Sequence, residues 1–294
     1  MGRILITDFM TMQTVSSGGD GEIREFLMTD EDFAQIARLA GELTGIVLGG
    51  HKRNMVYSRI ARRVRAYGFT TFRQYLDYLE KNLDAESTEF INSLTTNLTS
   101  FFRENHHFSF LKDTLFPQLK FANKDRKRLR IWSAGCSIGQ EAYSIAITLR
   151  QVGFPSDWDI KILATDLDSN VLDTGRAGVY PASHVEGLDA ALVKRFFLLS
   201  RDERSVQVKD ELRDLVYFKR LNLLESWPVK GPFDIIFCRN VVIYFNKDTQ
   251  RILFDRYADL LPVGGHLMIG HSENISGITD RFESIGNTIY RKVK

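Results

Sequence analysis

The sequence predicts an α/β protein in two parts: a small all-helical domain, then a doubly wound sheet interrupted by a short antiparallel insertion. Three observations predict it. Apolar residues recur at three-and-four spacing from residue 29 to about 119. Beyond the basic stretch 124–130, short apolar strands alternate with helical segments, the rhythm of a largely parallel sheet. Between Tyr180 and Phe218 that rhythm breaks: a helix near 188–197 precedes the alternating Ser205-Val206-Gln207-Val208, so about 181–219 reads as a β-subdomain.

Residues 1–28, with Ser16, Ser17, Gly18, Gly19 and Gly21, read as a flexible leader. The helical domain is expected over 29–123. Thr29 and Asp32 are spaced as a capping box, followed by Phe33, Ile36, Ala37, Ala40 and Leu43 on one face and Gly45 as the stop. A second helix is expected over about 52–67, with Val56, Ile60 and Val64 on one stripe and Gly68 at its end. Further helices are expected at 72–83, 86–94 and 106–115. Within 124–294, strands are expected at 129–133, 160–165, 215–219, 233–238, 266–270 and 288–292.

Composition narrows the class. The 294 residues are 44% hydrophobic and 26% charged, an ordinary globular balance. No run approaches the roughly 18 apolar residues of a membrane span, and the N-terminus lacks the order of a secretion signal, so a cytoplasmic protein without membrane insertion is expected. Cys136 and Cys238 form no Cys-x-x-Cys pair and lie near no histidine cluster, which predicts reduced thiols and no structural metal. A net charge of +2 does not argue for nucleic acid.

The chemistry is expected at the strand ends. The first strand runs into Ala134-Gly135-Cys136-Ser137-Ile138-Gly139 and a helix opening at Gln140 and Glu141. That is either a ligand-cradling turn or a plain tight connection. It is not the Gly-x-Gly-x-x-Gly of dinucleotide enzymes, and no Lys-Ser or Lys-Thr makes it a phosphate loop. The next strand ends in Ala164-Thr165-Asp166-Leu167-Asp168, where Asp166 is placed to hold two ribose hydroxyls and Asp168 to cap the next helix. Glu141 beside the turn would repel a pyrophosphate and suit a cationic ligand, so a nucleoside without phosphates is indicated. The run from Phe233 to Phe245 then delivers polar residues to the sheet's carboxyl edge.

Six ordered motifs carry a resemblance: Thr95-Thr96-Asn97-Leu98-Thr99-Ser100-Phe101-Phe102-Arg103-Glu104, Trp132 to Ser144, Ala164 to Asp168, Asn222-Leu223-Leu224, Phe237 to Phe245, and Gly270-His271-Ser272-Glu273-Asn274. Over residues 29–294 the chain resembles the CheR family of chemotaxis receptor (protein-glutamate) O-methyltransferases. The resemblance implies a Rossmann-like methyltransferase sheet with an N-terminal all-helical domain and an inserted β-subdomain. It implies S-adenosylmethionine as methyl donor, no metal, and Asn97, Thr99, Arg103, Glu141, Asp166, Asn222, Leu223, Arg239 and Asn240 as the residues around it. Arg103 and Tyr244 match positions near the methyl-transfer centre, with packing as the alternative role for Tyr244. Gln140 and Ala142 depart from many relatives, which carry an acidic residue and proline there; a slightly altered helix opening is expected.

The implied partners are the cytoplasmic helices of methyl-accepting chemoreceptors, met by a monomer. Lys52, Arg53, Arg59, Arg62, Arg63 and Arg65 place six cations in 14 residues with no acid among them. Helical geometry puts Lys52, Arg59, Arg62 and Arg63 on about a third of the circumference, a solvated face or a docking face for an acidic partner. Some relatives also capture a receptor tail peptide through a glycine-rich loop in the β-subdomain; residues 198–205 hold no glycine, so no such tether is expected. The rival functions are a nucleic-acid methyltransferase and a regulator that binds the donor without using it. Cys238-Arg239-Asn240-Val241 matches neither the Pro-Pro-aromatic run of amino methylation nor the activated cysteine of C5 methylation.

Overall fold

The structure, a computed structural model, describes residues 24–294. Most of the expected leader therefore lies outside the described residues. Of its last five residues, Phe26 and Met28 are buried in the core of the helical domain.

Four helices build that domain: α1 (Asp30–Thr44), α2 (Arg53–Ala66), α3 (Phe72–Lys81) and α4 (Leu83–Leu94). The Thr29 hydroxyl accepts from the Asp32 N–H at 3.1 Å while Asp32 Oδ2 accepts from the Thr29 N–H at 3.0 Å, the reciprocal cap its spacing predicts. Gly45, at φ +71°, ends α1 in the left-handed region. Ile36, Val56, Ile60, Val64, Phe72, Tyr75, Leu76, Leu79 and Phe90 close the core.

Next come α5 (His106–Phe110), a π-helical turn (Leu111–Leu115) and α6 (Phe116–Ala122). The sequence reading gives these helices to the helical domain, through residue 123. Their apolar side chains say otherwise, because Phe101, Phe108, Leu111, Leu115 and Phe116 are buried against the sheet.

The sheet domain follows the chain through β1 (Arg128–Ala134), α7 (Gln140–Val152), β2 (Asp159–Asp166), α8 (Ser169–Ala177), β3 (Val179–Pro181), α9 (Ala190–Phe196), β4 (Phe197–Leu199), β5 (Ser205–Val208), α10 (Asp210–Arg213), β6 (Val216–Arg220), β7 (Ile235–Cys238), α11 (Lys247–Leu260), β8 (His266–Ile269), β9 (Phe282–Gly286) and β10 (Ile289–Lys292). The large sheet has the order β6-β2-β1-β7-β8-β10-β9. Its first five strands are parallel, and β10 runs antiparallel to both β8 and β9. One face packs on α5 to α7 and the other on α11, where Trp132, Phe254 and Tyr257 are fully buried. The insertion is a three-stranded antiparallel sheet in the order β3-β5-β4.

Two features escape the sequence reading. Strand β9 was not expected, since Phe282-Glu283-Ser284-Ile285-Gly286 buries only Phe282 and pairs through one edge alone. The basic stretch before β1, expected as a solvated connection, is partly anchored: Arg126 reaches the buried carboxylate of Asp234 at 2.6 Å.

Candidate functional site at the carboxyl edge of the sheet

The parallel strands β6, β2, β1, β7 and β8 all end on one side, and the loops leaving them face the helical domain. Between the two halves lies a cavity of about 450 Å³. Asn97, Thr99, Arg103, Glu141, Asp166, Asn222, Leu223, Arg239, Asn240 and Tyr244 all line it, together with Lys52 and His271. Open sheets bind their ligands in such crevices outside the carboxyl ends of the strands.

The glycines of the first turn meet protein rather than an empty cradle. A Cβ on Gly135, at φ +84°, would stand 2.4 Å from Val241, and one on Gly139, at φ +88°, would stand 2.8 Å from Phe218. Close packing requires both glycines, and the same turn borders the cavity through Gly135, Cys136 and Ser137.

Asp166, at the end of β2, accepts from the Ser137 N–H at 2.8 Å and the Asp168 N–H at 3.1 Å. Burial pushes its carboxyl up from the ordinary value, against those two bonds. Asp168 caps α8 by accepting from the Asn170 N–H and also accepts from Thr95 Oγ1 at 2.7 Å and Asn97 Nδ2 at 2.8 Å. The segment leaving α4 is thereby held on the sheet. Asn222 is likewise a strap between domains, its amide donating to the Leu43 carbonyl at 3.1 Å.

Arg239, immediately after β7, is the most connected of these residues. Its Nη1 donates to Glu141 Oε2 at 2.9 Å; its Nη2 donates to the Arg103 carbonyl at 2.5 Å and lies 3.2 Å from Glu104 Oε2. Glu141 accepts from Ser133 Oγ at 2.6 Å through its other oxygen. One arginine thus bridges two largely buried carboxylates, the paired arrangement that buried charges require. Arg103 donates from Nη1 to the Leu98 carbonyl at 2.8 Å.

Three residues quoted in the motifs, but given no role there, turn out to build the site. Glu273 is buried and accepts backbone N–H bonds from Asn240, Val241 and Val242 at 2.9–3.0 Å and from Gly270 at 2.6 Å, fixing the loop that carries Arg239 to Tyr244. Burial raises its carboxyl, opposed by those same bonds. Glu104 faces His271 Nδ1 at 2.8 Å and the His271 N–H at 3.2 Å. Burial would raise the Glu104 carboxyl, yet the His271 bonds and Arg239 outweigh it and lower it to about 2. His271 itself follows β8, so its place at the sheet's carboxyl edge was legible in the sequence.

Tyr244 sits under the helical domain. Its carbonyl accepts from the Val47 N–H at 3.0 Å, and Lys52 Nζ lies 5.0 Å from its ring centre. Of the α2 cations, several are bound internally. Arg59 donates to the carbonyls of Leu94 and Thr95 at 2.5 and 2.8 Å, and Arg63 grips Glu86 at 2.9 and 2.7 Å. Arg53 pairs with Asp30 at 2.8 Å, and Arg65 with Glu25. Arg62 is exposed and has no ion-pair partner among the described residues. Glu104, His106 and His107 are the one group among the described residues with the spacing of a metal-ligand set, but Arg239 and His271 already meet the Glu104 charge.

A family model for the SAM-binding domain of CheR methyltransferases matches residues 97–291, and one for their all-alpha domain matches residues 31–95. The chain belongs to the CheR methyltransferase family. The CheR chain is 45% identical over 270 residues to chemotaxis protein methyltransferase 2 of Pseudomonas aeruginosa, covering 91% of this chain and 95% of that one. It is 44% identical over 269 residues to the chemotaxis protein methyltransferase of Escherichia coli, covering 90% and 91%. A probable chemotaxis protein methyltransferase of Rhizobium etli is 46% identical over 252 residues, covering 84% and 94%. The fold expected from the sequence, a methyltransferase sheet behind a helical domain, is the CheR fold. The CheR boundary between the two matched regions falls at residues 95–97, where the buried side chains of α5 and α6 also place it.

Proposed function

We propose that this CheR protein transfers the methyl group of S-adenosylmethionine to glutamate side chains of chemoreceptor cytoplasmic helices, giving glutamyl methyl esters and S-adenosylhomocysteine. One observation carries the reading: a single cavity at the sheet's carboxyl edge is lined by all nine donor-site residues and Tyr244. Its volume lies within the ~300–1,000 Å³ range of small-molecule sites. The donor set suits adenosine linked to an amino acid: Asp166 for the ribose hydroxyls, Asn222 and Leu223 flanking the base, and carboxylates rather than a phosphate loop beside the first turn.

When bound, S-adenosylmethionine supplies an electrophilic methyl on a sulfonium. A receptor glutamate is ionised at neutral pH and needs no general base. Its oxygen forms the new O–CH3 bond as the S–CH3 bond breaks, and the electron pair stays on sulfur. The protein's share is alignment and exclusion of water, which effective molarity makes sufficient for much of the rate. Arg103 and Tyr244, at the mouth, orient the incoming carboxylate. Arg239 and Glu141 hold Arg103 and the floor of the pocket.

Docking is assigned to the outer side of α2. Arg62 on α2 and Lys52 at the cavity rim face the acidic receptor helix, while Arg53, Arg59 and Arg63 hold α2 in place. Charge complementarity of this kind weakens as salt rises. The protein acts as a cytoplasmic monomer; no helix among the described residues is long and apolar enough to cross a membrane. The β4–β5 turn is closed by its own bonds, Ser200 Oγ accepting from the Ser205 N–H at 3.0 Å, and no receptor tail peptide is required. Against C5 methylation of nucleic acid stands the full burial of Cys238, which raises its thiol far above the ordinary value.

The direct test is a titration of S-adenosylmethionine followed by methyl transfer to a purified receptor cytoplasmic domain. Donor binding with receptor-dependent transfer is expected. Donor binding with no transfer to any receptor would leave the sensing role instead.

A further inference from the structure

The loop after β8 carries His271, whose ring meets the protein through one nitrogen. His271 lies at the cavity mouth with 66% of its side chain exposed, yet its ring is not free to turn. Glu104 holds Nδ1 at 2.8 Å and the His271 backbone N–H at 3.2 Å. Glu104 is itself fixed, 3.2 Å from Arg239, at a backbone φ of +54° that only a constrained non-glycine residue keeps. Nε2, across the ring from Nδ1, has no partner among the described residues. An exposed imidazole with one nitrogen clamped by an ionised carboxylate has its other nitrogen aimed by the protein.

We propose that His271 is a further substrate-orienting residue: held through Nδ1 by Glu104, it donates from Nε2 to one oxygen of the receptor glutamate, leaving the other oxygen to attack. This rests on the reading that the mouth admits a receptor carboxylate. The Glu104 carboxylate requires a donor at Nδ1, so a second donor at Nε2 requires the imidazolium. The charged groups around the ring come from several elements. Glu104 faces it from the segment before α5. Arg239, from the end of β7, reaches only the far side of Glu104. Arg103 and Tyr244 share the mouth, His106 follows Glu104 on α5, and Glu273 is turned inward to backbone N–H groups. No proton is transferred in the step; His271 contributes direction and charge, as Arg103 does.

The substitutions separate the two nitrogens. Glutamine places its amide N–H near where Nε2 was, and asparagine places one near Nδ1. Initial rates would be measured with the full chain and a receptor cytoplasmic domain at saturating S-adenosylmethionine, from pH 6 to 8.5. His271→Ala and His271→Asn should lower kcat/KM for the receptor about 10-fold or more, the loss of one charge-assisted hydrogen bond, with donor affinity and Tm unchanged. His271→Gln should recover most of that loss.

Rescue by asparagine rather than glutamine would overturn the proposal and make His271 a support for Glu104. Equal loss in both variants, full activity in all three, or donor affinity falling in step with activity would overturn it as well. A wild-type enzyme that forms no methyl ester on the receptor would contradict the underlying reading instead.

Discussion

Two clusters of charge in this protein look alike on paper and differ in use. At the carboxyl edge of the sheet, Glu141, Arg239, Glu104 and His271 form a continuous chain of contacts between loops that leave β1, β7 and β8 and the segment before α5. On α2 and the residue before it, six cations share 14 residues with no acid between them. In the first cluster Arg239 joins Glu141 to Glu104 within the protein and shapes the cavity, and only His271 turns an edge of its ring outward. The second is divided: Arg53, Arg59, Arg63 and Arg65 are bound to neighbours, Lys52 donates to the Val47 carbonyl at 3.4 Å, and of the six Arg62 alone has no partner among the described residues. Periodicity finds charged faces, but which charges are already spent depends on residues distant in sequence, such as Glu86 for Arg63.

The comparison is broken most readily at Arg239. Its replacement by alanine leaves Glu141 and Glu104 without their shared cation in a largely buried site, costing about 3–5 kcal/mol of stability. Donor binding should be lost in a calorimetric titration. A variant that keeps full Tm and donor affinity would show that the chain of contacts does not hold the pocket.

Arg63→Ala tests the other cluster. Glu86 is almost fully buried and bonded also by Tyr67 and Tyr75 at 2.6 and 2.9 Å, so removing the arginine leaves a buried carboxylate without a counter-charge. A loss of about 3 kcal/mol is expected from thermal or urea unfolding. Unchanged stability would return Arg63 to the docking face. Asp166→Ala should weaken donor affinity about 10- to 100-fold through loss of charge-assisted bonds to the ribose. Its Tm should move little by comparison, and an unaltered donor affinity would remove Asp166 from the site.

Stability against pH sharpens the contrast between buried and exposed charge. Burial lowers His107 to about 3 and His266 to about 4, from an ordinary 6.5. Both stay neutral in the fold while the unfolded chain takes up protons below about 6.5. Their contribution is therefore complete above 6.5 and lost as pH falls through the folded values. Tm should drop between pH 6.5 and 4, with His107→Gln flattening the slope; a constant Tm over that range would contradict the burial argument. The smallest effect is expected from Arg62→Glu, which should leave Tm and donor affinity alone and raise KM for the receptor a few-fold at low salt, as for a screened surface charge.

Much of this was legible in the sequence, for reasons that vary along the chain. Strands β7 and β8 are legible because they are buried throughout, and β1, β2 and β6 because buried apolar residues recur among their polar ones, while β9, with one buried side chain in five, gives no signal. Thr29 and Gly45 announced α1 through local chemistry alone. Asp166 was legible because a strand end fixes where its side chain arrives. Glu104 and Glu273 were not, since their work is done on partners between 30 and 167 residues away or on backbone N–H groups that no pattern marks. The helices after residue 97 join the sheet rather than the helical domain, a difference hidden from periodicity, which shows an apolar face without showing what covers it.

The central claim is that the product is a glutamyl methyl ester. The protein would be incubated with methyl-labelled S-adenosylmethionine and a receptor cytoplasmic domain, and the labelled receptor treated with mild base. Release of the label as volatile methanol is the expected result. Label on the receptor that survives base would mean nitrogen or sulfur methylation and would contradict the account.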